Sequence, residues 1–203
     1  VPVAEQTGLI CQIDQRTIEL AFSRQAELLQ QGFNIILSIN LSAEILSNTE
    51  AFNIINGLLR RHKLDGKHFI FEVTESQAVR RLQSAHDLIL NIESIGGSFA
   101  LDDFGVGFSS MSYLKQLPVN YLKIDGSFIK NIVYCREDRL FVNAINSVGK
   151  GMGIKIIAEF VENEHILQVL ANIGIEYAQG YGIGRPLPYP EYHNLKQPIL
   201  LNV

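Results

Sequence analysis

Six short apolar runs, each ending in residues able to hold a metal or a phosphate, constrain this chain more than any other feature. NIILSIN closes on Asn40, and HFIFEVTE on Glu72 and Glu75. SFALDD closes on Asp102 and Asp103, and NYLKID on Lys123 and Asp125. GIKIIAEFVE closes on Glu159 and Glu162, and IEYAQ on Gln179. Stretches of helical period lie between the runs. Alternating strands and helices define an α/β chain, and strands that finish in acids place an active site on one rim of a TIM-type (β/α) barrel. Side chains alternate along a strand, so Asn40, Glu72, Lys123 and Glu159 can each point into the barrel mouth. That rim is rich in oxygen and poor in imidazole, which favours hard divalent cations.

At 203 residues, 47% of them hydrophobic, the chain has the core of a single domain spanning 1–203. An eight-stranded barrel usually needs about 250 residues. Six strands are legible, and the opening PVAEQTGLI already has a helical pattern. The barrel is therefore expected to be modified and incomplete at its N-terminus, its first strand lying before Val1. The tail PLPYPEYHNLKQP is rich in proline and tyrosine, so 189–203 is expected to be irregular.

The formal net charge of −4 comes without a basic stripe, which argues against a nucleic-acid polymer as partner. Cys11 and Cys135 read as reduced thiols. There is no signal peptide and no apolar run of about 18 residues, so a cytoplasmic domain is expected, with room for a membrane anchor elsewhere in a longer parent chain.

The spacing of Ile13, Ile18, Phe22, Ala26 and Leu29 predicts a helix over about 13–31. Ser47 with Glu50 fits a capping box for the helix carrying Phe52, Ile55 and Leu59. Ala78, Leu82, Ala85, Ile89, Ile92 and Ile95 predict one helix ended by Gly96-Gly97. A short helix is expected near Ser110–Gln116, and another through Phe141, Ile145, Val148 and Met152. The strand–helix unit repeats every 25–35 residues, roughly the length of successive βα units.

Taken singly, each acid has a bland explanation. A strand-end carboxylate is more often a helix cap or a surface group, Asp-Asp-Phe-Gly can be only a turn, and Lys123 can be a solvated lysine. Six consecutive strand ends of this chemistry are harder to dismiss, because gathered carboxylates repel unless cations lie among them. The five histidines show no H-x-H or H-E-x-x-H spacing. A Schiff-base role for Lys123 would need a poorly charged pocket, which so many acids deny it. Its expected job among them is electrostatic.

The motifs NLSA at 40–43, FEVTES at 71–76 and LDDFGVGFSS at 101–110 continue with LPVNYLKIDGSF at 117–128, IIAEFVE at 156–162 and AQGYGIGRPLP at 178–188. In this order the chain resembles the bacterial EAL domains, phosphodiesterases specific for cyclic di-GMP. The resemblance implies two-metal hydrolysis of cyclic di-GMP to linear pGpG with Mg²⁺ or Mn²⁺. It implies that Asn40, Glu72 and Asp102 hold the first metal, and that Asp102 bridges to a second completed by Asp103 and Glu159. Lys123 would hold or polarise the attacking water, and Gln179 would act through a metal-bound water or the substrate. Glu75 would brace the loop after Asp103, and Glu162 would lie near a guanine or support the rim. Asp125 and Arg185 are assigned to substrate or support, with a structural role for each equally open.

Three departures stand out. The glutamate of the name-giving E-A-L motif falls upstream of Val1, so the segment alone is expected to be inactive. Phe160 replaces the commoner glycine of A-E-G-V-E, a position given no weight because it varies. Val106 and Phe108 replace the commoner Thr and Tyr and remove no ligand. The alternative function is a catalytically inactive cyclic di-GMP receptor or interaction module. The resemblance also implies a homodimer through Gly105–Leu117 and an upstream GGDEF or sensor domain in the parent chain.

Overall fold

The computed structural model describes residues 3–4, 7–48, 50–107 and 111–186. The chain divides into two compact units, Val1–Leu101 with Ser109–Val119, and Asp102–Phe108 with Asn120–Val203. The irregular tail expected over 189–203 lies outside the described residues.

In the first unit, helix α1 (Ile10–Gln30) buries Ile10, Asp14, Ile18, Phe22, Gln25 and Leu28, spaced by three or four along one face. Two of these are polar and each has a partner. Gln25 Nε2 donates to Ile35 O at 2.7 Å, which ties the chain entering strand β1 (Leu37–Asn40) back to the helix. Asp14 Oδ2 accepts from Ser42 N at 3.3 Å and from the Ser42 hydroxyl, fixing the chain just after that strand. Strand β2 (Phe69–Thr74) pairs parallel to β1 with Asn40 opposite Glu72. The Phe22 ring stacks on Phe69 at 4.1 Å between centroids, and both are fully buried.

Helices α2 (Ala43–Leu46) and α3 (Ala51–His62) follow β1. The expected Ser47–Glu50 capping box does not form. Glu50 is itself the residue before the helix, so it cannot occupy the third helical position that such a box requires. Asn48 Oδ1 accepts from Glu50 N at 2.9 Å instead. The single helix expected over 78–95 is two, α4 (Glu75–Arg80) and α5 (Leu82–Ser94), because Arg81 leaves helical geometry at φ −127° and ψ 46°. Strand β3 (Ser98–Phe104) carries the chain from this unit into the second. The short helix expected near 110–116 is a 3₁₀ turn at Met111–Lys115.

In the second unit, strands β4 (Tyr121–Ile124), β5 (Lys155–Ala158) and β6 (Tyr177–Ala178) pair in parallel, and every residue of β4 is buried. Helix α6 (Gly126–Ile129) is one turn. Helix α7 (Arg136–Met152) begins before the expected Phe141, with Glu137 and Asp138 complementing its N-terminal dipole. Helix α8 (Glu164–Ile173) ends where Asn146 Nδ2 donates to Ile173 O at 2.9 Å and Gly174 O at 3.3 Å, satisfying carbonyls a helix end leaves open. In the sheet the strands follow one another in chain order, β1 to β6, as the expected βα winding requires. Among the described residues no helix is long and apolar enough to cross a membrane.

Phe22→Ala removes the stacked ring from a fully buried position and is expected to cost about 3–5 kcal/mol. Urea unfolding measures this, and a loss below about 1 kcal/mol would remove Phe22 from the core.

Candidate metal centre

Successive residues of a flat strand face opposite ways, so adjacent aspartates would not ordinarily share a site. At the end of β3 the backbone departs from this rule. Asp103 has φ 53°, a left-handed conformation costly for a residue with a Cβ. Its N–H donates to Asp102 Oδ1 at 3.0 Å. The result is that oxygens of Asp102, Asp103 and Glu159 all lie within 4.8 Å of one another.

Lys123, projecting from β4, meets two of these acids. Its Nζ lies 2.9 Å from Asp102 Oδ1 and 2.9 Å from Glu159 Oε1. Lys123 is only 3% exposed and Glu159 7%, so their charges are tolerable only as partners. Burial pushes the Glu159 carboxyl up to about 7, with Asp102 and Asp103 adding to the rise and Lys123 opposing it. Burial likewise raises Asp103, reinforced by Asp102 and Asp125 and opposed by Lys123. Three carboxylates against one ammonium leave two formal negative charges when all are ionised. An all-oxygen cluster of that charge fits a hard divalent cation.

The loop after the aspartates is held by aromatic packing. Phe128 and Phe141 stack at 4.1 Å, and a Cβ at Gly105 would lie 2.8 Å from Phe141 Cζ. Gly105 also has φ 102°, so both space and backbone select glycine there. Asp125 N donates to Phe104 O at 3.3 Å, and Asp125 Oδ1 accepts from Ser127 N at 2.8 Å to cap α6. Asp125 therefore has a structural task here.

Glu162 and Gln179 line a cleft of about 300 Å³ with Glu159, Lys130, Phe160, Gly180 and Tyr181. Arg185 is not among the lining residues. Its guanidinium lies 4.8 Å from the Tyr181 ring centroid, a cation–π contact.

The remaining expected residues belong to the first unit. Asn40 and Glu72 are cross-strand neighbours in the β1–β2 register, and Leu41 N donates to Glu72 O at 2.8 Å. Glu72 is 3% exposed. Glu75 opens α4, and its Oε1 accepts a 2.5 Å hydrogen bond from the Tyr113 hydroxyl. Burial, together with Glu75, drives the ionisation of Tyr113 far upward, so the phenol stays a donor. Glu75 thus holds the Met111–Lys115 turn. Sequence reasoning did not single out Tyr113, since a tyrosine in SYLK carries no spacing signal. It also passed over Lys130 and Tyr181, which line the cleft.

Comparison with known proteins bears on this geometry. A family model described as EAL domain matches residues 1–186. Cyclic di-GMP phosphodiesterase PdeB of Shewanella oneidensis is 40% identical over 195 residues, 95% of this chain and 22% of that protein. Cyclic di-GMP phosphodiesterase PdeF of Escherichia coli is 35% identical over 199 residues, 98% of this chain and 27% of that protein. The chain thus spans about a quarter of the length of these curated relatives. Among solved structures, that of the MucR phosphodiesterase in complex with c-di-GMP matches with a TM-score of 0.85 and 37% identity, covering 92% of this chain and 76% of that one.

The raised Glu159 carboxyl sets a pH dependence. The folded state holds its proton to about 7 while the unfolded state releases it near the ordinary 4.5. The unfolded state therefore binds fewer protons between these values, and stability falls as pH rises through that window. Metal-free protein is expected to melt higher near pH 5 than near pH 8, part of the difference being attributable to this residue. Glu159→Gln should flatten that part of the profile. Identical profiles for the two proteins would show that Glu159 does not titrate there.

Proposed function

The chain belongs to the EAL domain family, and on that basis we propose that it is the catalytic domain of a cyclic di-GMP phosphodiesterase, opening the cyclic dinucleotide to linear pGpG. The single observation that supports this most is the packing of Asp102, Asp103 and Glu159 around buried Lys123. The names of the relatives, and a neighbour that binds c-di-GMP, supply the substrate.

In this reading Asp102, Asp103 and Glu159 hold Mg²⁺ or Mn²⁺, and the family resemblance adds Asn40 and Glu72 as ligands. When bound, such cations neutralise the phosphodiester and lower the pKa of a coordinated water. The protein's own residues do the rest. Lys123, held by two carboxylates, is a fixed positive charge that orients the attacking water and favours the developing negative charge. Its two partners keep it from swinging away, so little reorganisation is needed when charge develops. Glu159 takes part in both the ion pair and the metal set, which couples the position of Lys123 to that of the ligands. Gln179 and Glu162 line the adjoining cleft and are assigned to the substrate side. Glu75 acts at a distance by fixing Tyr113.

The same resemblance assigns a homodimer contact to Gly105–Leu117, where Val106 is 63% exposed. We further propose a cytoplasmic location, and a GGDEF or sensor domain elsewhere in a longer parent chain.

Full-length protein incubated with cyclic di-GMP and Mg²⁺ or Mn²⁺ should yield pGpG. Tight binding without product would favour the receptor function instead. Asp102→Asn is expected to reduce turnover nearly to background, and Lys123→Ala to lower kcat by about 10²-fold or more. Steady-state kinetics with product chromatography checks both, and unchanged turnover in either variant would withdraw that residue's role.

A further inference from the structure

Phe160 follows Glu159 directly and adopts φ 53°, which a phenylalanine enters only under constraint. The hydrogen bonds around it explain the constraint. Glu159 N donates to Ile124 O at 3.2 Å, continuing the β4–β5 ladder. On the other side Gln179 N donates to Ala158 O at 2.8 Å, which makes Glu159 the partner of Gln179 in register with Ala158 and Ala178. In a regular parallel ladder the next donor to Gln179 O would be the N–H of residue 160. The donor is Val161 N, at 3.0 Å. Phe160 is thus one extra residue between two ladder bonds, a β-bulge, and bulges beside active sites re-aim the neighbouring side chain.

The ring of Phe160 makes this bulge more than a backbone irregularity. It lies against Gly126, the first residue of α6, where a Cβ would collide with the ring and come within 2.8 Å of Phe160 Cβ. That clash reaches the root of the side chain, so rotating the ring does not relieve it. Lys130 Nζ covers the ring at 4.4 Å from its centroid. The ring is therefore seated between a notch in α6 and a cation from the residue that follows that helix.

We infer that Phe160 is a positioning residue, the inserted residue of a bulge whose ring, keyed into Gly126, aims the Glu159 carboxylate at Lys123 and the aspartate pair. The inference rests on the metal-binding reading above and adds a residue that reads as a neutral substitution in the sequence. Glu159 is held from one side by its backbone bond to β4. Without a fixed bulge on the other side, the peptide after it could turn either way, and the carboxylate would lose its direction.

The test is a double-mutant cycle in the full-length protein, read by Mn²⁺ titration without substrate, by kcat and KM, and by thermal melting. Gly126→Ala should weaken Mn²⁺ binding about tenfold or more, the scale of outer-shell changes at metal sites, and lower kcat more than it alters KM. Phe160→Gly tolerates the backbone but loses the key, and should weaken Mn²⁺ about threefold, while Phe160→Tyr stays near wild type. Adding Gly126→Ala to Phe160→Gly should then change Mn²⁺ affinity by less than about twofold, since the colliding ring is gone. Equal Mn²⁺ affinity in wild type, Gly126→Ala and Phe160→Gly overturns the inference even if melting temperatures fall. So does a Gly126→Ala effect that persists undiminished with glycine at 160. Should Gly126→Ala not fold, Phe160→Gly against Phe160→Tyr decides by the same criterion. Wild-type protein that binds no Mn²⁺ would instead remove the metal-binding reading on which the inference stands.

Discussion

Everything in the second unit that bears on chemistry depends on the buried ammonium of Lys123 sitting between Asp102 and Glu159. A lysine that is 3% exposed cannot stay charged without partners, and two acids that close cannot both ionise without a cation. Each group makes the other tolerable. The balance is incomplete, because Asp103 adds a third carboxylate to the same few ångströms. That excess explains why burial and mutual repulsion lift Glu159 and Asp103 together. A divalent cation removes the conflict by supplying the missing charge, so electrostatic frustration in the protein alone is also affinity for metal.

The first unit follows a related rule with neutral donors. Its loops are fixed by buried or half-buried polar pairs: Ser42 to Asp14, Gln25 to the Ile35 carbonyl, and Tyr113 to Glu75. Each pair joins a helix to a stretch of chain beside a strand end. A buried acid that lost its donor would leave an unsatisfied charge costing roughly 1–3 kcal/mol or more, so these contacts hold their segments in one place. Such pairs specify position more than they add stability.

Much of this was legible from the residues. All six strands occur where apolar runs end in polar groups, and Asp102, Asp103, Lys123 and Glu159 come together as their strand-end positions implied. What escaped was whatever periodicity does not encode. Arg81 splits an apolar stripe whose spacing reads as one helix, because a helical pattern cannot register a single break in φ and ψ. Ser47 and Glu50 have the separation of a capping box, yet the helix begins one residue after Glu50. Tyr113 and Asp14 act through contacts distant in sequence, and spacing rules see only near neighbours. Asp125 carries an acid's signal at a strand end but caps a helix, the bland role such residues most often have.

Phe160 is the most instructive of these cases. A substitution for glycine reads as neutral when only metal ligands are considered. In three dimensions the position has φ 53°, so glycine is favoured there and phenylalanine is strained. Asp103 has the same φ, and each strained residue adjoins another acid of the cluster, Asp102 in one case and Glu159 in the other. Regular strands cannot deliver three carboxylates to one point, because their side chains alternate and diverge. Two local departures from strand geometry, each costing on the order of 1–3 kcal/mol, turn adjacent acids toward a common point. Each strained residue has a tie that favours its turn: the hydrogen bond from Asp103 N to Asp102 Oδ1 in one case, and the contact of the Phe160 ring with Gly126 in the other. Where glycine would accept the turn passively, phenylalanine must be held in it, and the contacts that hold it also restrict the carboxylate next door.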